Sequence, residues 1–284
     1  MLLKEKTRKF KKKEYFRKLF SNQSNIDYWE SIYVRQDFSG VSLRKRMAQA
    51  LSWLDNSNLP KNSKILDVGC GAGVMAKEVA NRGYEIFGMD YSYNMIKKAE
   101  AICKVSTKSG ITFFQGDIEF LPFKDSVFDM VICLGVITYL KSEQKALQEM
   151  SRTLKPNGTM ILSILNKLSL AKCLDMSVLV RRRIQRMAGN RIVSWKKRRQ
   201  IKRDYSFVKS YFIPSLRNAL RTAGFKELDC TAIQYGPLTF FGRKIFPEEV
   251  NMNITNFLEK FSNIALIRSL GNMCLFRLTK TGEK

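Results

Sequence analysis

The chain has 284 residues and no histidine. That absence removes the commonest general base and metal ligand, and with it every Ser-His or Cys-His nucleophile arrangement. The six cysteines, at 70, 103, 133, 173, 230 and 274, make no CxxC pair, and no two neighbours are closer than 30 positions. Neither a zinc site nor a disulfide framework is expected, and a reducing compartment fits. The longest apolar stretch, Phe128 to Leu140, is too short and too interrupted to span a bilayer, and no long apolar segment follows the basic N-terminus. The expectation is a cytoplasmic protein, neither secreted nor transmembrane. Acids are scarce too: 25 Asp plus Glu stand against 50 Lys plus Arg, a net charge of +25.

What is present is a globular composition, 45% hydrophobic and 26% charged, enough for one α/β core with elaborations. The excess charge is localised. Residues 1–20 hold nine Lys/Arg and two Glu, net +7, and residues 176–203 hold eleven Lys/Arg and no acid, net +11. These two segments carry most of the imbalance, as a docking surface for something anionic requires.

Between them, short apolar runs alternate with helical patterns. KILDV (64–68) reads as a strand, 72–82 as a helix ending at Gly83, EIFGMD (85–90) as the next strand, and Ser92 as the cap of a helix from Tyr93 to Cys103. ITFFQGD (111–117), FDMVICLG (128–135), a helix carrying Leu147, Met150 and Leu154, a turn at Pro156-Asn157-Gly158, and TMILSIL (159–165) continue the alternation. It predicts a doubly wound parallel sheet. After a basic insertion, a helix around Leu216 to Ala223, a strand ending near Tyr235 and a closing run MCLFRLT (273–279) follow.

The chemically informative stretch is LDVGCGAG, Leu66 to Gly73. Glycines at 69, 71 and 73 let the backbone turn tightly and admit a ligand to the helix N-terminus without a Cβ in the way. The dinucleotide fingerprint would need its third glycine where Val74 stands, and no Lys-Ser/Thr follows as a phosphate-binding loop requires. Instead Asp67, Asp90 and Asp117 close three consecutive strands, and an acid at the end of the second can accept hydrogen bonds from both ribose hydroxyls.

KILDVGCGAG, FGMDYSYNMI, GDIEFLPFKDSVFDMVICLGVITYL and the TLKPNG turn together resemble the ordered motifs of class I S-adenosylmethionine-dependent methyltransferases, over roughly residues 28–166. The likeness is to the ubiquinone- and menaquinone-biosynthesis group acting on small molecules. It implies a Rossmann-like, doubly wound seven-stranded sheet with an antiparallel last strand, plus helical insertions. It implies S-adenosyl-L-methionine as cofactor, with Gly69, Gly71 and Gly73 under its methionine part, Asp67 near its ammonium, and Asp90 on its ribose hydroxyls. Tyr91 and Met95 would pack by the adenine, Asp117 would accept from the adenine amino group beside Ile118, and Leu134 and Gly135 would line the floor near the sulfonium. The Tyr28-Trp29 pair falls where the family has a segment closing over the site. Tyr139 stands where relatives often carry histidine, a departure that argues against a His-type acid/base step and makes Tyr139 a candidate acceptor-site residue or a packing residue on the sheet.

The expected organisation is a basic extension, 1–27, and a methyltransferase domain, 28–284, with a basic helical insertion at 167–210 and a second at 240–270. The region 167–270 is expected to form the acceptor side. No Asn-Pro-Pro-Tyr-type motif follows the fourth strand and no Pro-Cys nucleophile is present, so the pattern favours a hydroxyl or activated carbon of a small-molecule, lipid or lipid-linked glycan acceptor. Cys173, Met176, Val180, Ile184 and Met187 recur at helical spacing among arginines, which suits either a helix on an anionic membrane surface or an insertion with a solvated basic face. Peripheral attachment through 1–20 and 176–203 is one expectation. RNA as the partner, and a non-catalytic basic scaffold with the same fold, are the alternatives.

Overall fold

The computed structural model describes residues 15–16, 19–104, 110–175, 208–240 and 243–282. The helix expected around Met176 to Met187 lies outside them, as do residues 1–14 of the basic extension.

Seven strands form one sheet in the order β3-β2-β1-β4-β5-β9-β6: β1 Lys64–Val68, β2 Glu85–Asp90, β3 Ile111–Gln115, β4 Phe128–Leu134, β5 Leu154–Leu165, β6 Phe225–Ile233 and β9 Met273–Lys280. β1 pairs in parallel with β2 and β4, β2 with β3 and β4 with β5, while β9 runs antiparallel between β5 and β6. The expected topology, reversed last strand included, is the one observed. The central strands are apolar along their whole length because both faces are covered. One face packs Leu66, Val131, Leu162 and Phe276 against Leu147, Met150 and Leu216, and the other packs Ile65, Ile132 and Ile161 against Leu51, Leu54 and Val79.

The helices are α1 Gln23–Ser31, α2 Phe38–Asp55, α3 Val74–Asn81, α4 Tyr93–Lys104, α5 Gln144–Thr153, α6 Leu170–Leu174, α7 Ile213–Thr222, α8 Glu248–Glu259 and α9 Ala265–Leu270. A small hairpin, β7 Thr239–Phe240 with β8 Arg243–Lys244, precedes α8. Gly83 ends α3 in the left-handed conformation, φ 85°, as its position after the helical run implies. Two boundaries differ from the sequence reading. Leu154 is the residue at which α5 ends and β5 begins, and β5 runs through the expected turn: Leu154 pairs with Phe128, a register shift follows, and Asn157 takes φ 61° within it.

The parallel arrangement brings the C-terminal ends of β1 to β5 to one edge of the sheet. The N-terminal segment is tied over that edge. Ser92 Oγ donates to the Phe20 carbonyl (3.0 Å), Asn94 Nδ2 to that of Ser21 (2.9 Å), and Lys98 pairs with Glu30 (2.8 Å). No described helix is long and apolar enough to cross a membrane.

Candidate active site

A cavity of about 310 Å³ opens at the C-terminal edge of the sheet. Of the residues expected in the site, Asp67, Gly69, Gly71, Asp90, Tyr91, Met95, Asp117, Ile118, Leu134 and Tyr139 line it. Gly73 does not. It caps α3 at φ 81°, and a Cβ there would meet Ala99 Cβ at 2.8 Å, so this glycine serves the packing of α3 on α4.

The glycine turn is set by backbone bonds. Gly69 and Cys70 N–H both donate to the Met89 carbonyl (2.7 and 3.0 Å), which fastens the loop after β1 to the end of β2. Gly69 takes φ 74°, and a Cβ on it would fall 2.2 Å from Val136 Cγ2; around Gly71, at φ 53°, there is open space. Asp90 holds the turn from below. Its Oδ2 accepts from Gly71 N–H (3.0 Å) and its Oδ1 from Ser92 N–H (2.8 Å), so the carboxylate is fixed in orientation while each oxygen keeps capacity for a further donor. Burial raises the Asp90 pKa above the usual carboxylate value, and the Ser92 and Gly71 N–H groups oppose that rise. Asp117 Oδ1 accepts from Glu119 N–H (3.0 Å), an Asx turn that turns the chain after β3 and sets Ile118 into the cavity wall.

Asp67 is the unusual group. It is 2% exposed, and its Oδ2 has no hydrogen-bond partner. Its pKa is pushed up to about 7, mainly by burial and then by the Asp90 charge, against the pull of Arg46. Arg46, from α2, also lines the cavity, is buried, and leaves Nε without a partner; its Nη2 donates to Tyr33 Oη (3.3 Å). Gly135, at φ 78°, makes room for it, because a Cβ there would stand 2.5 Å from Arg46 Nη1. An anionic and a cationic group, both buried and both short of hydrogen bonds, suit a zwitterionic ligand such as the methionine end of an S-adenosyl cofactor.

The remaining walls are apolar and aromatic. Phe16, Phe20 and Trp29 come from the N-terminal segment, Leu43 from α2, and Leu140, Ile164, Leu165 and Met273 from the sheet side. Tyr139 sits edge-on to Phe16 (5.0 Å) and Phe20 (5.2 Å), and Phe20 reaches Trp29 at 6.4 Å. Of the described part of 167–270, only Val208 lines the cavity, and Tyr235 is fully buried in the core instead. Among the described residues, Phe16, Phe20, Trp29, Tyr33, Leu43 and Arg46 bring the N-terminal segment and α2 onto the cavity wall. The described residues contain no metal-binding cluster.

A sequence profile described as a methyltransferase domain matches residues 66–162. The ubiquinone biosynthesis O-methyltransferase of Rickettsia conorii (strain ATCC VR-613 / Malish 7) is 33% identical over 145 residues, 51% of this chain and 49% of that protein. Over residues 66–162 the chain is thus similar to a methyltransferase domain. The demethylmenaquinone methyltransferase of Staphylococcus carnosus (strain TM300) is 34% identical to it over 151 residues, 51% of this chain and 58% of that protein. The chain thus spans about half the length of these relatives. The fold of the methyltransferase domain and its surroundings is also that of magnesium protoporphyrin IX methyltransferase from Synechocystis PCC 6803, solved with bound SAH, with TM-score 0.61 and 18% identity over 95% of this chain and 100% of that one.

The acids and glycines of the cavity wall lie inside the methyltransferase domain or at its border, but Arg46, Trp29, Phe16 and Phe20 precede it. Sequence reading flagged Trp29 and missed Arg46. The signal was there: Asp37 caps α2 by accepting from Gly40 N–H (2.9 Å), and Leu43, Met47, Ala50, Leu51 and Leu54 recur at helical spacing, with Arg46 set on that inward stripe.

Proposed function

We propose that the chain transfers the methyl group of S-adenosylmethionine to a hydroxyl, or an activated carbon, of a small apolar acceptor of lipid or lipid-linked type held at or near an anionic membrane surface. The observation that carries the reading is the buried Asp67 Oδ2 with no partner, set on the cavity wall with Arg46 and Asp90. Asp67 would take the cofactor ammonium and Arg46 its carboxylate, over the turn of Gly69 and Gly71. Asp90 would take the ribose hydroxyls, Asp117 and Ile118 the adenine edge and face, with Tyr91 and Met95 beside it.

Bound there, the cofactor supplies a methyl group already activated by its sulfonium. What the protein adds is alignment and dryness. Leu134 and Gly135 form the floor after β4, while Phe16, Phe20, Trp29 and Tyr139 close the acceptor side against water. No histidine is available to take a proton, and the lining acids are the three assigned to the cofactor; other protonatable groups on the wall, among them Tyr33, Tyr139 and Lys141, are weaker acceptors of a proton at neutral pH than a histidine. An acceptor hydroxyl that ionises easily, or a carbanion-like carbon, therefore fits better than an alcohol. The two relatives named above act, by their names, in quinone biosynthesis, which supports a small acceptor of this kind.

Transfer of labelled methyl from S-adenosylmethionine to a bacterial lipid extract, to aqueous metabolites and to RNA tests the proposal. Label in the lipid fraction supports it. Label in RNA would favour the reading in which the basic segments 1–20 and 176–203 hold RNA, and no label from a protein that binds the cofactor would favour the scaffold reading.

A further inference from the structure

Residues 160–164 of β5 are all buried, and one of them is polar: Ser163. Side chains alternate along a strand, so Ile161, Ser163 and Leu165 share one face of the sheet. The neighbours of Ser163 on that face are apolar, with Leu134 opposite it on β4, Leu275 opposite it on β9, and Ile161 and Leu165 before and after it. Ser163 is fully buried, and its Oγ has no hydrogen-bond partner. An unpaired buried hydroxyl is costly, and alanine would fill the same place without that cost. Yet Ser163 lines the cavity. A hydroxyl with no protein partner on a cavity wall is a hydrogen-bonding group left for whatever fills the cavity.

The order of the strands indicates which ligand that is. From β3 through β2, β1 and β4 to β5, the wall presents Asp117, Asp90, Asp67, then Leu134 with Gly135, then Ser163. In the proposed placement the cofactor occupies the first four, with its adenine at Asp117, its ribose at Asp90, its ammonium at Asp67 and its sulfur over the floor after β4. Ser163 lies one strand further on, a step of about 4.8 Å. An attacking atom aligned for transfer stands about 3–3.5 Å beyond the methyl carbon, on the side away from the sulfur, so one strand spacing is the step that separates floor from acceptor. The other lining residues of β5 and β9, namely Ile164, Leu165 and Met273, are apolar, which leaves Ser163 as the polar group of that end of the wall.

We infer that Ser163 Oγ donates a hydrogen bond to an oxygen of the methyl acceptor, at the methylated atom or the one beside it, and so selects acceptors that carry a hydroxyl or enolate oxygen there. The inference rests on the proposed cofactor placement. A serine hydroxyl keeps its own proton at neutral pH and takes none from the acceptor. By donating to the oxygen anion it favours the ionised acceptor, the form that a site without histidine needs.

The test is equilibrium dialysis of 2-naphthol and of naphthalene against the full chain saturated with S-adenosylhomocysteine, for wild type and Ser163→Ala. The two probes differ by one easily ionised hydroxyl, and the ratio of their affinities cancels what the rings contribute. From wild type to Ser163→Ala the naphthol-to-naphthalene ratio should fall about fivefold or more, the value of one hydrogen bond, while S-adenosylhomocysteine affinity stays within about twofold. A melting temperature no lower than that of wild type verifies the fold. An unchanged ratio overturns the inference, as does a wild type that binds no 2-naphthol. A loss of S-adenosylhomocysteine affinity as large as the loss of naphthol affinity also overturns it, by placing the hydroxyl in the cofactor pocket. The two claims fail separately: S-adenosylhomocysteine binding with an unchanged ratio sinks only the role of Ser163, and no S-adenosylhomocysteine binding by folded wild type sinks the cofactor site and the inference with it.

Discussion

The Arg46 guanidinium and the Asp67 carboxylate line one cavity and feel each other's charge, yet each keeps an atom, Nε and Oδ2, with no hydrogen-bond partner. Two opposite charges buried this way are costly unless a third party completes them. A zwitterionic ligand in this cavity would complete both.

The pH dependence follows from Asp67. Its folded pKa, about 7, lies above the ordinary 3.8, so its contribution to stability is fully present below 3.8 and lost as pH rises through about 7. Asp67→Asn removes that loss. The ligand-free variant should melt close to wild type below about pH 4, rise progressively above it between there and pH 7, and keep the full difference at higher pH. Affinity for S-adenosylhomocysteine should run the other way in wild type, rising as pH passes about 7, because an ammonium favours the ionised carboxylate. Calorimetric titrations in buffers of different ionisation enthalpy check this: binding below that pH should release a proton, and a pH-independent affinity would contradict the assignment.

Arg46→Met keeps the bulk of the side chain and deletes its charge. It should weaken S-adenosylhomocysteine binding by about tenfold to a hundredfold, the value of one charge-assisted hydrogen-bonded pair, and lower the melting temperature of the ligand-free protein above pH 7, where the Asp67 carboxylate is left without its cation. An unchanged dissociation constant would remove Arg46 from the cofactor site.

The two glycines of the turn should fail differently. Gly69→Ala places a Cβ 2.2 Å from Val136 at φ 74°, so it should lower stability by more than the about 1–2 kcal/mol of a left-handed backbone alone. Gly71→Ala carries the backbone cost without a clash, since its Cβ points into open space that the ligand would use. Its main effect should be on ligand affinity. Thermal melts and titrations of both variants, side by side, separate the two.

Ser163 stands on β5 opposite Leu134, fully buried, with a hydroxyl that has no partner. Ser163→Ala removes an unsatisfied polar group worth about 1 kcal/mol and should raise the melting temperature of the ligand-free protein by roughly 2 °C. A fall of similar size would show that the hydroxyl is paired in solution.

The sheet was legible because parallel strands covered on both faces read as apolar runs, and KILDV, EIFGMD and FDMVICL announce themselves that way. The turn after β1 was legible through its glycines, and the three acids through their place at strand ends. Gly73 looked like its neighbours in sequence, and only the approach of Ala99 distinguishes it. The part of the cavity wall made by Phe16, Phe20 and Leu43 was not legible, because these residues reach it through tertiary contacts across the strand ends, such as Ser92 with the Phe20 carbonyl, that no local pattern encodes.

The central claim is the cofactor site, and the most direct measurement is calorimetric titration of S-adenosylmethionine and S-adenosylhomocysteine into wild type and Asp90→Ala. The Asp90 carboxylate fixes the Gly71 and Ser92 N–H groups, and in the proposed site it would take the ribose hydroxyls, so its loss should weaken saturable binding by roughly tenfold to a hundredfold. Equal affinity in the two proteins, or no binding by folded wild type, would contradict the account.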